Sequence, residues 1–132
     1  MTKLTKLTKD KMANDFKELK IWQKGLELLI KIYKLSKNFP PEEKFGLTIQ
    51  LRSSANSVIA NIAESQGRYF LKDKIRVLYQ ARGELEETRN HLLIAKELKY
   101  ISEKEASSLD EEYNGLGKGI NGYIQSLNQK KI

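Results

Sequence analysis

Cysteine is absent from this 132-residue chain, and histidine occurs once, at His91. Without cysteine there is no disulfide scaffold, no thiolate nucleophile and no zinc ribbon, a usage that fits a reducing cytoplasm. A single histidine cannot supply the Glu-x-x-His motif that each of two helices contributes in a di-iron bundle. Long apolar runs are also missing, since none approaches the roughly 18–20 residues needed to cross a bilayer. The opening MTKLTKLTKDKMAND carries lysines but lacks the apolar segment of a signal peptide. No Gly-rich phosphate loop is present, and Gly67-Arg68 is a helix-end signal rather than part of G-x-x-x-x-G-K-[ST]. So short an inventory argues against an enzyme: no catalytic residue, metal site or cofactor is expected. What remains is a cytoplasmic protein of bacterial style with no membrane segment. It is one domain, long enough to bury a core.

Charge is plentiful and unevenly spread. The net +7 and pI near 9.5 hide a balance of +5 over residues 44–82 and −5 over residues 83–112. A chain polarised in this way can bind nucleic acid with its basic part and pair with itself through opposite patches.

Periodicity predicts helices throughout, with no strand pattern and no internal repeat. Helix 1 is expected from about Lys17 to Lys37, opened by a capping box at Asp15 and Glu18 and closed by Phe39-Pro40-Pro41. Helix 2 is expected from near Glu42 to Gly67, and helix 3 from about Phe70 to Lys99. In helix 3, Leu71, Leu78, Leu85 and Leu92 repeat every seven residues, interleaved with Ala81, Thr88 and Ala95. Helix 4 opens with the box Ser102-Glu-Lys-Glu105 and carries Ala106, Leu109, Tyr113, Leu116, Ile120, Tyr123 and Leu127 at 3/4 spacing. Short linkers make neighbours antiparallel, so the fold class is all-α, an up-down four-helix bundle. Residues 16–129 form the bundle domain, and residues 1–15 form a disordered basic arm, able to add non-specific affinity or simply to solubilise.

Two helices have more apolar or small surface than one core can use. At about 100° per residue, Leu47, Leu51, Ser54, Ala55, Val58 and Ile62 make one stripe of helix 2, and Ile49, Asn56, Ala60 and Ala63 make another. Helix 1 divides likewise into Leu19, Trp22, Leu26, Leu29, Ile30 and Tyr33, then Ile21, Leu28, Ile32 and Leu35. The surplus marks an oligomer interface, assigned to Ile21, Leu28, Ile32, Ile49, Asn56, Ala60 and Ala63. A closed ring would need two different patches on each subunit.

Candidate nucleic-acid ligands are Arg52, Arg68, Lys72, Lys74, Arg76 and Arg82, with Lys44 in the same basic run. Tyr69 and Tyr79 are interleaved for base stacking, whereas Phe70 is expected in the core. Arg52 is the one charge between Gln50 and Ala63. In a helix covered on two sides it is expected to pair with a carboxylate, which leaves Arg68 the better phosphate ligand. Glu84, Glu86 and Glu87 form an acidic face that is solvated or pairs with basic residues. Glu87 and His91 share a helical face, but His91 beside Leu92 is expected to be a plain structural or surface residue. Gly115, Gly119 and Gly122 stack at i, i+4 and i+7, which leaves two readings open: a weak helix tolerated by packing, or a flat groove for another backbone.

Phe16-x-x-Leu19-x-x-Trp22-Gln23-Lys24, Phe45-Gly46-Leu47-Thr48-x-Gln50-x-Arg52, Ser57-x-x-x-Asn61-Ile62-Ala63-Glu64 and Gly67-Arg68 together resemble the four-helix-bundle proteins encoded within 23S rRNA intervening sequences. Leu78-x-x-Ala81-Arg82-Gly83-x-Leu85-x-Glu87 and the Leu98-x-Tyr100-Ile101 corner are similar too, so the resemblance covers about residues 16–128. It implies an up-down bundle assembled as a ring-shaped homopentamer. It also implies kinship with the accessory variability determinant of diversity-generating retroelements, a basic ring that binds nucleic acid and its reverse transcriptase. The chain departs from the family's pattern at Ser65, where glycine is frequent, and at Ser53, where a second arginine commonly follows Arg52. The function expected is therefore a non-enzymatic homo-oligomer that binds RNA or DNA through a basic surface. The alternative is a protein-interaction scaffold without direct nucleic-acid binding.

Overall fold

A computed structural model describes residues 15–129. Within them the helices are α1 (Lys20–Ser36), α2 (Leu47–Gly67), α3 (Leu71–Glu97) and α4 (Glu103–Gln129), with 3₁₀ turns at Phe16–Glu18 and Pro41–Glu43. Each helix packs on its neighbours in sequence, and α4 returns to α1, giving the expected up-down bundle. The basic arm falls almost wholly outside the described residues.

Local chemistry moves two of the expected boundaries. Asp15 does cap, its carboxylate accepting from the Lys17 N–H at 3.0 Å, but it caps the 3₁₀ turn rather than α1. Leu19 is extended, and α1 starts only after it, with Trp22 packed edge-on against Phe16 at 5.1 Å. Helix α2 starts at Leu47, not near Glu42, because the Glu43 side chain folds forward. Its Oε1 accepts from the Leu47 N–H at 3.1 Å and its Oε2 from the Tyr100 hydroxyl at 2.8 Å, so one carboxylate caps α2 and ties it to the α3–α4 corner. Both hydrogen bonds hold the Glu43 carboxyl below its ordinary value. At that corner Lys99 takes a left-handed φ of 64°, and the Tyr100 N–H reaches back to the Ala95 carbonyl at 2.9 Å in a Schellman closure. The Ser102–Glu105 box forms as expected, each residue accepting the other's backbone N–H at 3.0 Å.

The closest seam is α2 against α3. Small residues line both sides of it: Ser54 and Ala55 on α2 and Ala81 and Thr88 on α3 are all buried. Thr88 Oγ1 donates to Ser54 Oγ at 2.9 Å, and Ser54 donates in turn to the Leu51 carbonyl at 3.1 Å, so the buried hydroxyls are satisfied. Leu78, Leu85 and Leu92 of the heptad line fill the centre with Leu51, Val58, Ile62 and Ile120.

Helix α1 corrects the sequence reading. Leu28 and Ile32, assigned above to an oligomer interface, are 0% exposed core residues, and Ile21 is half-buried against that core. Of the competing stripe, Leu19, Trp22 and Leu29 pack half-buried against the same core, and only Ile30 and Tyr33 are exposed. The two stripes have the same period, so spacing cannot rank them. Gly25 decides, because it lies in line with Leu28 and Ile32 and brings the α1 backbone onto the Ile59 side chain, where a Cβ would collide. On α2 the split falls as expected. Leu47, Leu51, Ser54, Ala55, Val58 and Ile62 are buried, Ile49, Asn56 and Ala60 face outward, and Ala63 is half-buried.

Two glycine replacements should move stability in opposite directions. Gly25→Ala should cost about 1–3 kcal/mol through overpacking. Gly115→Ala, with no atom within 4 Å of the new Cβ, should gain about 0.5–1 kcal/mol of helix propensity. Urea denaturation of both variants checks this.

Candidate nucleic-acid interface

The six candidate cations divide by what the fold already does with them. Arg52 reaches α1, its Nε donating to Ser36 Oγ at 2.7 Å and its guanidinium lying 4.5 Å from the centre of the Tyr33 ring. The carboxylate partner expected for it is replaced by a hydroxyl, a backbone carbonyl and a ring face. Lys74 folds back on the end of α2 and donates to the Ser65 and Gln66 carbonyls at 3.2 and 3.1 Å, capping acceptors that the helix leaves open. Burial there pulls its ammonium pKa below the ordinary lysine value. Arg82 crosses to α4 and donates to Asn121 Oδ1 at 2.9 Å. These three side chains bridge helices or cap a helix end, which sets them apart from the rest of the candidate set. Lys44 also separates from it, because it lies at the opposite end of α2, beside the exposed Phe45 ring.

Arg68, Lys72 and Arg76 remain together at the α2–α3 corner. Arg68 bonds to Glu64 one turn back at 2.6 Å, and Arg76 lies 3.9 Å from Asp73. Both pairs are exposed i,i+3 or i,i+4 contacts worth a few tenths of a kcal/mol, which a phosphate can displace. Lys72 is exposed and has no carboxylate partner among the described residues. Phe70, expected in the core, instead precedes the first turn of α3 and is 64% exposed, stacked edge-on with Tyr69 at 5.0 Å. Its extended backbone directs the side chain outward, which apolarity alone does not reveal. Tyr69 is 88% exposed, and Tyr79 also faces out. The corner thus presents three cations and three aromatic rings, the pairing that holds phosphates and stacks unpaired bases.

The acidic third quarter is used in part. Arg89 donates to Asp110 at 2.8 Å and to Glu86 at 3.3 Å, linking α3 to α4. Glu84 is half-buried, and burial with the nearby Glu87 charge raises its carboxyl pKa. His91 is buried at the edge of the core, as a structural histidine would be, and its Nδ1 has no partner. Among the described residues, no three His, Cys, Asp or Glu side chains group closely enough to hold a metal ion.

One electrostatic feature was missed in the sequence. Lys20, Lys24, Lys31 and Lys34 recur on a single flank of α1, and that flank faces α4. Glu112 of α4 accepts from Lys24 at 2.9 Å and from Lys31 at 3.0 Å. The 20/24/31/34 spacing was a legible signal for the row, but nothing in it locates Glu112 opposite.

A family model described as 23S rRNA-intervening sequence protein matches residues 17–122. No curated protein matches the chain. The structure is similar to the crystal structure, at 1.70 Å resolution, of a protein with unknown function from the S23 ribosomal protein family of Bacteroides thetaiotaomicron VPI-5482. The two are 26% identical, with a TM-score of 0.73 over 79% of this chain and 97% of that one. No described helix is long and apolar enough to cross a membrane.

The Glu112 bridge carries a pH signature. Hydrogen bonds from Lys24 and Lys31 hold its carboxyl below the ordinary value of 4.5. A depressed folded-state pKa stabilises fully above the unfolded value, and that stability drains away as pH falls through the folded one. Wild type should therefore exceed Glu112→Gln by a steady margin, below about 1 kcal/mol because solvent screens the pair. The margin should shrink below about pH 4.5, as urea titrations across pH will read.

Proposed function

The chain belongs to the 23S rRNA-intervening sequence protein family, and on that premise we propose a non-enzymatic, homo-oligomeric bundle of the cytoplasm that binds nucleic acid through the α2–α3 corner. The observation that carries this reading is the exposure of Lys72 and Arg76, with Arg68 partly exposed, beside the exposed Tyr69, Phe70 and Tyr79. Rings so large and so exposed gain little from the fold and are suited to stacking. The bundle topology brings both ends of the described chain, Asp15 and Gln129, to this end of the molecule. By sequence, residues 1–14 carry four lysines against one aspartate, and Lys130 and Lys131 follow Gln129. RNA is the first target to test, since family and solved relative alike bear ribosomal names. Phosphate contacts give affinity here, and shape or an accessory partner gives specificity.

The oligomer rests on the outward surface of α1 and α2. Ile30 and Tyr33 stand beside Ile49, Asn56 and Ala60, an apolar and small-residue face spanning two helices. The homopentamer follows from the family resemblance, and a ring of any size needs a second, different patch on each subunit. A protein-interaction scaffold is the second reading, favoured by the intramolecular use of Arg52, Lys74 and Arg82.

Binding of a structured 23S rRNA fragment, followed by fluorescence anisotropy across salt, tests the first reading. The triple variant Arg68→Glu, Lys72→Glu, Arg76→Glu should lower the log–log salt slope by about two to three, at roughly 0.7–0.9 for each phosphate no longer neutralised. Lys44→Glu should leave it unchanged. Salt-independent affinity would favour the scaffold. Light scattering should give a multiple of the 15.2 kDa chain mass, and the double variant Ile49→Arg, Ala60→Arg should dissociate it. A wild-type monomer at micromolar concentration overturns the oligomer.

A further inference from the structure

The seam between α1 and α4 is the loosest of the four, and it is open. Two cavities lie along it. One, of about 470 Å³, has Leu35 and Leu109 in its floor and Lys31, Lys34 and Lys104 on its rim. The other, of about 340 Å³, has Ile21 and Leu116 below Lys20 and Lys24, with Gly115 and Gly119 on the α4 side. Glu112 stands between them and holds Lys24 and Lys31. Lys34 and Lys104 have no carboxylate partner among the described residues.

The glycines follow the same line. A Cβ at Gly119 would meet Ile21 Cγ2 at 3.2 Å, so internal packing accounts for that residue. At Gly115 and Gly122 nothing lies within 4 Å of a Cβ, and packing within this chain explains neither. Each is a poorer helix former than alanine.

We infer that the α1–α4 groove is a docking site for an acidic amphipathic helix of a partner protein. The apolar floor takes a stripe of leucine-like side chains, and the unpaired Lys34 and Lys104 take flanking carboxylates. From Lys20 to Lys34 the groove runs about 21 Å, or roughly four helical turns. That matches the helix-in-groove mode of recognition, with anchors at i, i+3, i+4 and i+7. Nucleic acid fits worse, because an apolar floor offers phosphates nothing.

The test is anisotropy of the full-length protein with a labelled 16-residue peptide bearing leucines at 3/4 spacing and glutamates on both flanks. A peptide of the same composition with its apolar stripe scrambled serves as the control. Micromolar affinity is expected, weakened about tenfold by Lys34→Glu with Lys104→Glu, and similarly by Gly115→Leu, which fills the groove. Gly115→Leu raises helix propensity, and circular dichroism verifies its fold. The triple variant at Arg68, Lys72 and Arg76 should bind the peptide normally while losing RNA, so this inference and the nucleic-acid reading fail separately. Equal binding of the scrambled peptide, or indifference to both groove variants, overturns the proposal. So does RNA binding that depends on Lys34 and Lys104, which would make the groove a nucleic-acid site. Dissociation of the oligomer by the peptide would make a second copy the occupant and overturn it as well.

Discussion

The close approach of α2 to α3 is the constraint on which the remaining architecture depends. It is possible because Ser54, Ala55, Ala81 and Thr88 are small, and it is aligned by the Thr88–Ser54 hydrogen bond. Each hydroxyl also has a carbonyl of its own helix within reach, Leu51 for Ser54 at 3.1 Å and Glu84 for Thr88 at 2.9 Å, so the register is held chiefly by the close packing of the buried side chains. With the register held, α1 and α4 fill the remaining sides of the core. Gly25 then sets which face of α1 goes in, and the outward face of α2 keeps Ile49, Asn56 and Ala60 together.

That same geometry decides how charge is used. Arg52, Lys74, Arg82 and Arg89 each span an inter-helix gap or a helix end, and each has partners within hydrogen-bonding distance. At such a seam the fold places carbonyl, amide and carboxylate acceptors within reach of a basic side chain. Arg68, Lys72 and Arg76 lie beyond the seams, at the α2–α3 corner. There they share space with the exposed rings of Tyr69, Phe70 and Tyr79.

The molecule thus has surfaces of different character on different sides. The α2–α3 corner is cationic and aromatic, the outer α1–α2 face is apolar and small, and the α1–α4 groove is apolar with a lysine rim. A bundle whose core is satisfied by four simple stripes is free to vary these surfaces. Within such a family, differences in binding are therefore expected to reside in side chains that the core does not use.

Much of this was legible from residue order alone. Helix number, antiparallel order, the Ser102–Glu105 box, the heptad line of α3 and the two stripes of α2 all follow from local periodicity and capping chemistry, which the chain carries within a few neighbouring residues. Periodicity gave α1 two equal faces and could not choose between them, because that choice is made by Gly25 meeting Ile59, thirty-four positions away. Nor could it tell a free arginine from one bonded across a seam, place Phe70 outside the core, or set Glu112 against the α1 lysines. Sequence by itself determined the helices and the pool of basic side chains. Tertiary structure decided which of them face solvent, because exposure and pairing depend on what a distant segment brings within a few ångströms.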